Sequence, residues 1–138
     1  MTIALCLNCG STKWGALCPC PACRAGATGD FNLDIAFSDH RLSRSTLEQL
    51  GAVIKAIAAL TDDQELRFWS FIEYVSRNHS YILTVELKPE VREQVEALLT
   101  GLEVPPVEVR PPPRLSWWAS LIWLAVLAFG VWWFFLRG

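Results

Sequence analysis

The sequence predicts an α+β fold: a small domain of order β-α-α-β-α, preceded by a cysteine-rich module and followed by a single C-terminal transmembrane helix. Three observations predict it. All five cysteines fall within the first 23 of 138 residues, the middle of the chain carries two runs of alternating apolar residues among three stripes of helical period, and residues 117–136 contain no charge. Alternation marks a strand with one buried face, and recurrence at i, i+3, i+4 and i+7 marks an amphipathic helix. The partition that results is 1–28 for the cysteine module, 29–102 for the α+β domain, 103–116 for a proline-rich linker and 117–136 for the span.

Two of the cysteine pairs have C-x-x-C spacing: Cys6-Leu7-Asn8-Cys9 and Cys20-Pro21-Ala22-Cys23. In such a turn both thiolates point to one place, and two turns brought together make a tetrahedral four-sulfur site of the kind that selects Zn²⁺ or iron. Gly10, directly after Cys9, suits the tight turn. Residues 6–23 resemble a zinc ribbon with rubredoxin-type knuckles. The resemblance implies Cys6, Cys9, Cys20 and Cys23 as ligands of one structural Zn²⁺, with the first pair in the turn of a β-hairpin and the second pair in a facing turn. Cys18 departs from the pattern and is an additional or alternative ligand, standing two residues before Cys20 across Pro19. A redox C-x-x-C belongs at a helix start within a βαβ pattern, which is missing here. A disulfide framework needs an oxidising compartment, which the predicted topology does not supply. Four thiolates leave no coordination position for water, so the predicted site is structural.

In the middle of the chain, Phe31, Leu33, Ile35 and Phe37 alternate with smaller or polar residues and predict the first strand, followed by a turn over 38–42. Ser45 and Glu48 fit a capping box that opens a helix with Leu47, Leu50, Ile54 and Ile57 on one face and Val53 and Leu60 widening it. Thr61 and Gln64 fit a second capping box, and Asp62 and Asp63 complement the dipole of the helix that follows. That helix is expected to run to Arg77, with Leu66, Trp69, Ile72 and Val75 inward and Phe68 and Phe71 at the edges. Residues 78–80 break the pattern, and Tyr81, Leu83, Val85 and Leu87 predict the second strand. Pro89 at a first-turn position starts the third helix, with Val91, Val95, Leu98 and Leu99 as its stripe and Gly101 as its stop.

Five prolines fall among residues 103–116, and Pro111-Pro112-Pro113 predicts polyproline II. Fully extended, that segment would reach about 43 Å at about 3.1 Å per residue, a spacer between domain and membrane. The uncharged twenty residues that follow are about 30 Å long as a helix, the thickness of the hydrocarbon core. Trp117 and Trp118 mark one interface and Trp132 and Trp133 the other, as amphipathic indoles do. Arg110 and Arg114 before the span, against Arg137 after it, put the N-terminal side in the cytoplasm. The first residues have neither the basic region nor the apolar run of a secretory signal. The expectation is a tail-anchored, single-pass membrane protein with a cytoplasmic N-terminal domain.

All fourteen acidic residues and eleven of the twelve basic ones precede Trp117. Only Lys13 and Arg24 lie near the cysteine pairs, and nucleic acid binding needs clustered cations, so no nucleic acid partner is expected. His40 and His79 each occupy a turn beside a predicted strand. If the strands pair, these histidines and Asp39 or Asp34 are candidates for acid/base chemistry. No nucleophile elbow, P-loop, dinucleotide fingerprint or H-E-x-x-H occurs. No catalytic residue is assigned and no small-molecule substrate is inferred. The function expected from the sequence is a membrane-tethered zinc-ribbon interaction or adaptor protein without catalysis, whose partners are the lipid bilayer and an unidentified protein. The alternatives are a small membrane-anchored enzyme using the His40/His79 region and, behind it, a nucleic-acid-binding ribbon.

Overall fold

The computed structural model describes residues 2–110. Two short strands, β1 (Ile3–Leu5) and β2 (Thr12–Trp14), precede four helices: α1 (Phe31–Ala36), α2 (Arg44–Leu60), α3 (Gln64–Asn78) and α4 (Pro89–Thr100). The strands pair antiparallel, with Ile3 opposite Trp14, Ala4 opposite Lys13 and Leu5 opposite Thr12. The other edge of β1 is covered by the chain that leaves α1. The Leu5 N–H donates to the Phe37 carbonyl at 2.9 Å, and the Asp39 N–H donates to the Ile3 carbonyl at 2.8 Å. The Ile3 N–H in turn donates to the Asp39 carboxylate at 2.9 Å. An edge so covered exposes no row of unpaired backbone groups.

The helices follow their apolar stripes, with caps that differ from those expected. Ser43, two residues before the expected Ser45, caps α2 by accepting the Thr46 N–H, and Glu48 pairs with Arg44 at 3.0 Å instead of closing a capping box. Leu47, Leu50, Val53, Ile54 and Ile57 are buried as the stripe predicts. Asp63 caps α3 by accepting the N–H groups of Glu65 and Leu66, while Thr61 ends α2 through its N–H to the Ile57 carbonyl at 3.3 Å. Phe71 is fully buried, its ring centroid 5.4 Å from that of Phe37, whereas Trp69 is only half-buried. The inward face of α3 is thus rotated slightly from the expected one. Helix α4 begins at Pro89 and ends where Gly101 donates to the Leu98 and Leu99 carbonyls, as predicted.

The predicted order β-α-α-β-α is not the observed one, and both predicted strands of residues 29–102 are overturned. Residues 31–36 form α1, because the Asp30 carboxylate accepts the N–H groups of Asn32 and Leu33 and closes a helical first turn. Phe31, expected inward, is 61 % exposed, while Asp34, expected outward, is buried. Leu33, Ala36 and Phe37 are the residues that meet the core, at helical spacing. A strand at Tyr81–Leu87 then has no partner, and its backbone groups bond elsewhere. The Ile82 N–H donates to the His79 carbonyl at 2.9 Å, and the Val85 N–H to the Ser76 hydroxyl at 3.2 Å. Ile82, Leu83 and Val85 still rest on the core. Among the described residues the one sheet is the β1–β2 hairpin of the cysteine module.

Leu5 of β1 belongs to the same buried cluster as Phe37, Leu47, Leu50 and Phe71, so the hairpin and the helices share a core. Residues 104–110, expected as part of a free spacer, run along the start of α2. The Ser43 N–H donates to the Arg110 carbonyl at 2.9 Å, the Arg110 N–H to the Thr46 hydroxyl at 3.0 Å, and the Glu108 N–H to the Gln49 side-chain carbonyl at 2.8 Å. Val104, Val107 and Val109 pack on the core beside them. Among the described residues no helix is long and apolar enough to cross a membrane. The predicted span 117–136, with Trp117, Trp118, Trp132 and Trp133, lies outside the described residues.

Candidate metal centre

The two C-x-x-C turns fold by one hydrogen-bond pattern. In the first, the Cys6 N–H donates to the Ser11 carbonyl at 2.8 Å and the Gly10 N–H to the Cys6 carbonyl at 2.9 Å. In the second, the Cys20 N–H donates to the Ala25 carbonyl and the Arg24 N–H to the Cys20 carbonyl, both at 2.8 Å. The residue after each second cysteine has a left-handed backbone: φ is 71° at Gly10 and 61° at Arg24. Glycine takes that conformation freely, whereas another residue loses about 1–2 kcal/mol. The first turn lies between β1 and β2, as the knuckle resemblance implies, and the second faces it.

The four sulfurs of Cys6, Cys9, Cys20 and Cys23 lie within 4.8 Å of one another. Cys6 and Cys23 are 3.6 Å apart and Cys9 and Cys20 are 3.7 Å apart, sulfur to sulfur. A disulfide would need about 2.05 Å, so these are free thiols. Metal–sulfur bonds of about 2.3 Å in a tetrahedron put sulfurs about 3.8 Å apart, close to the separations seen. The group can therefore hold a metal ion with little movement. Cys18 stands apart from it and is exposed.

Burial pushes the Cys6 thiol up to about 12, against backbone N–H groups of Cys9 and Asn8 that lower it. For Cys23 burial also acts upward, but the Asn8 side chain, the Ala25 backbone and the Cys9 and Cys6 thiols outweigh it and bring it down to about 6. Without metal, the pair holds one proton between a thiolate at Cys23 and a thiol at Cys6. A metal ion bound there would displace that proton, as thiolate ligation requires.

The first knuckle is seated directly on a helix backbone. A Cβ built on Gly51 would lie 2.2 Å from the Gly10 carbonyl oxygen, and one on Gly10 would lie 2.3 Å from the Gly51 carbonyl oxygen. Gly10 announces its turn in the sequence, whereas Gly51 stands inside the α2 stripe. A glycine inside a helical stripe costs about 1 kcal/mol, and that cost is the signal of a close approach. The left-handed Arg24 had no such signal.

The histidines do not meet as the paired-strand expectation required. His40 is exposed in the turn after α1, beside an Asp39 whose carboxylate is committed to the Ile3 N–H. His79 ends α3 between Tyr74 and Tyr81, with ring centroids 6.3 and 6.4 Å away, and burial lowers its basicity. Asp34 accepts the Thr28 N–H at 3.1 Å, which ties the loop after the second knuckle to α1. No family model, curated protein or solved structure matches the chain, so the metal centre rests on its own geometry.

Proposed function

We propose that the chain is an interaction module stapled by one structural Zn²⁺, attached to a membrane through residues 117–136 and exposed to the cytoplasm. The observation that carries the zinc reading is the convergence of four thiols from two matching knuckles. Thiolates favour Zn²⁺ among abundant cations, and a tetrahedron filled by four protein ligands has no open position for a reacting water. The metal then serves folding rather than turnover. Trp14 and Leu17, 60 % and 54 % exposed between the two knuckles, support an interaction role for the metal module. Membrane attachment is supported by the sequence alone, through the uncharged residues 117–136.

Metal analysis of the purified full chain tests the zinc reading. One zinc per chain is expected, retained in Cys18→Ser and lost in a Cys6→Ser, Cys23→Ser double variant. Much less than one metal per wild-type chain, or one iron in place of zinc, refutes it. Alkaline extraction of cell membranes tests the attachment, because a chain recovered wholly in the soluble fraction is not held by lipid. For the interaction role, cross-linking from position 14 should trap one protein species, and the Cys6→Ser, Cys23→Ser variant should fail to trap it. Equal trapping by both would remove the metal module from the interface.

A further inference from the structure

Between the first knuckle, the loop 25–28 and the start of α3 lies a cavity of about 600 Å³. Two cationic side chains line it. Lys13, at the centre of β2, is only 4 % exposed, and among the described residues it makes no side-chain hydrogen bond and no ion pair. Arg67, in the first turn of α3, has a buried Nε with no hydrogen-bond partner among the described residues. Two carboxylates line the same cavity without pairing with either cation. Asp34 is engaged by the Thr28 N–H, and Glu65 is exposed to solvent.

A buried guanidinium N–H left without an acceptor is unfavourable, and a lysine on the cavity wall with no ion pair leaves its charge without a counter-ion. An anion entering the cavity would give Lys13 a counter-ion and offer the Arg67 guanidinium an acceptor. The volume lies within the range of about 300–1,000 Å³ common to small-ligand sites. Arginine offers a planar fork of donors and lysine a point charge, a combination suited to phosphate or carboxylate oxygens. We propose that this cavity binds a small anion, a phosphate or carboxylate group, ion-paired to Lys13 and hydrogen-bonded by Arg67. The competing role for Lys13 is to balance the negative charge of a metal held by four thiolates, since Cys6 also lines the cavity.

The test uses the full chain, loaded with zinc in non-ionic detergent at constant ionic strength. Inorganic phosphate and acetate are titrated separately by calorimetry, and zinc content is measured on every sample. Saturable binding of one or both anions is expected, weakened about tenfold or more in Lys13→Met and in Arg67→Gln, with zinc unchanged. The two arms show whether phosphate or carboxylate is preferred. Absence of saturable binding of either anion by the wild-type chain overturns the proposal. So does equal binding by wild type and both variants. Loss of zinc in Lys13→Met with anion binding intact would give Lys13 the charge-balancing role and overturn its part here. If Lys13→Met fails to fold, Arg67→Gln against wild type decides the outcome.

Discussion

Gly51→Ala puts the seating of the first knuckle to a quantitative test. The new methyl carbon would stand 2.2 Å from the Gly10 carbonyl oxygen and 3.3 Å from the Leu5 Cδ1, where ordinary contact begins at 3.4 Å. The obstructing atom is backbone, held in a turn by the Gly10 N–H to Cys6 carbonyl bond, so a rotamer change cannot relieve it. The knuckle and helix must separate by about 1 Å, which strips part of the packing from Leu5. Overpacking of this kind costs about 1–3 kcal/mol, and a backbone obstruction belongs at the upper end. Replacing a helical glycine by alanine returns about 1 kcal/mol of propensity. The net expectation is a loss of about 2 kcal/mol, read by urea denaturation of the zinc-loaded full chain under circular dichroism, or a drop of roughly 5–10 °C in Tm. Gly26→Ala, whose new methyl would meet nothing within 4 Å, serves as the control. The two contributions oppose each other in sign, which makes the result decisive: a Gly51→Ala chain as stable as wild type, or more stable, would refute the close approach.

If the four thiols hold the proposed structural zinc, its chelation should remove several kcal/mol of stability, because structural zinc contributes on the order of 10 kcal/mol to the folding of small modules. A urea midpoint unmoved by chelator, in a chain shown to have lost its zinc, would count against a structural role. In the metal-free chain, Cys23 near 6 stabilises the fold as pH rises from 6 towards the ordinary thiol value of 9.0, since only the unfolded chain still carries that proton. Cys6 near 12 acts oppositely, its contribution being lost as pH rises from 9.0 towards 12, so stability of the metal-free chain should peak near pH 9. A monotonic profile across that window would show that the two thiols do not share the proton as described. Thr46→Val removes the hydroxyl that accepts the Arg110 N–H, a loss of about 0.5–1.5 kcal/mol. Limited proteolysis should then cut residues 104–110 faster than in wild type, and an unchanged cleavage rate would mean the strap is held otherwise.

Local chemistry was legible and non-local pairing was not. The knuckles could be read because a thiolate pair two residues apart needs only its own turn, and the same hydrogen-bond pattern recurs at Cys6 and Cys20. The long helices could be read because Leu47, Leu50, Ile54 and Ile57 define a face without reference to the rest of the chain. A strand differs: its backbone groups need a partner that no local pattern names. Residues 31–37 carry apolar side chains that satisfy both periods, and the Asp30 cap decided for the helix. Once that strand was gone, Tyr81–Leu87 had nothing to pair with. The histidine site built on the pairing of those strands went with them. Gly51 was visible as a cost but not as a contact, because its partner Gly10 is 41 positions away in the chain.

A metal held at the knuckles would be coupled thermodynamically to the helices, because of where β1 lies. Its one side is hydrogen-bonded to β2, its other side to residues 37–39, and its Leu5 enters the core formed by α2 and α3. The first knuckle extends directly from β1 and rests on Gly51 of α2. A module able to unfold alone would meet the helices through a polar, separable interface, whereas here losing the metal frees a turn whose neighbours are core residues. Disorder in that turn withdraws Leu5 and uncovers Phe37 and Leu50. The metal and the helices are therefore expected to melt in one transition when zinc is present. When zinc is absent, helix α2 should lose protection from hydrogen exchange together with β1, ahead of α4, whose one fully buried residue is Val95 and whose contacts are with α3. Protection lost in α4 before α2 would mean that the knuckle and its helix are not energetically joined.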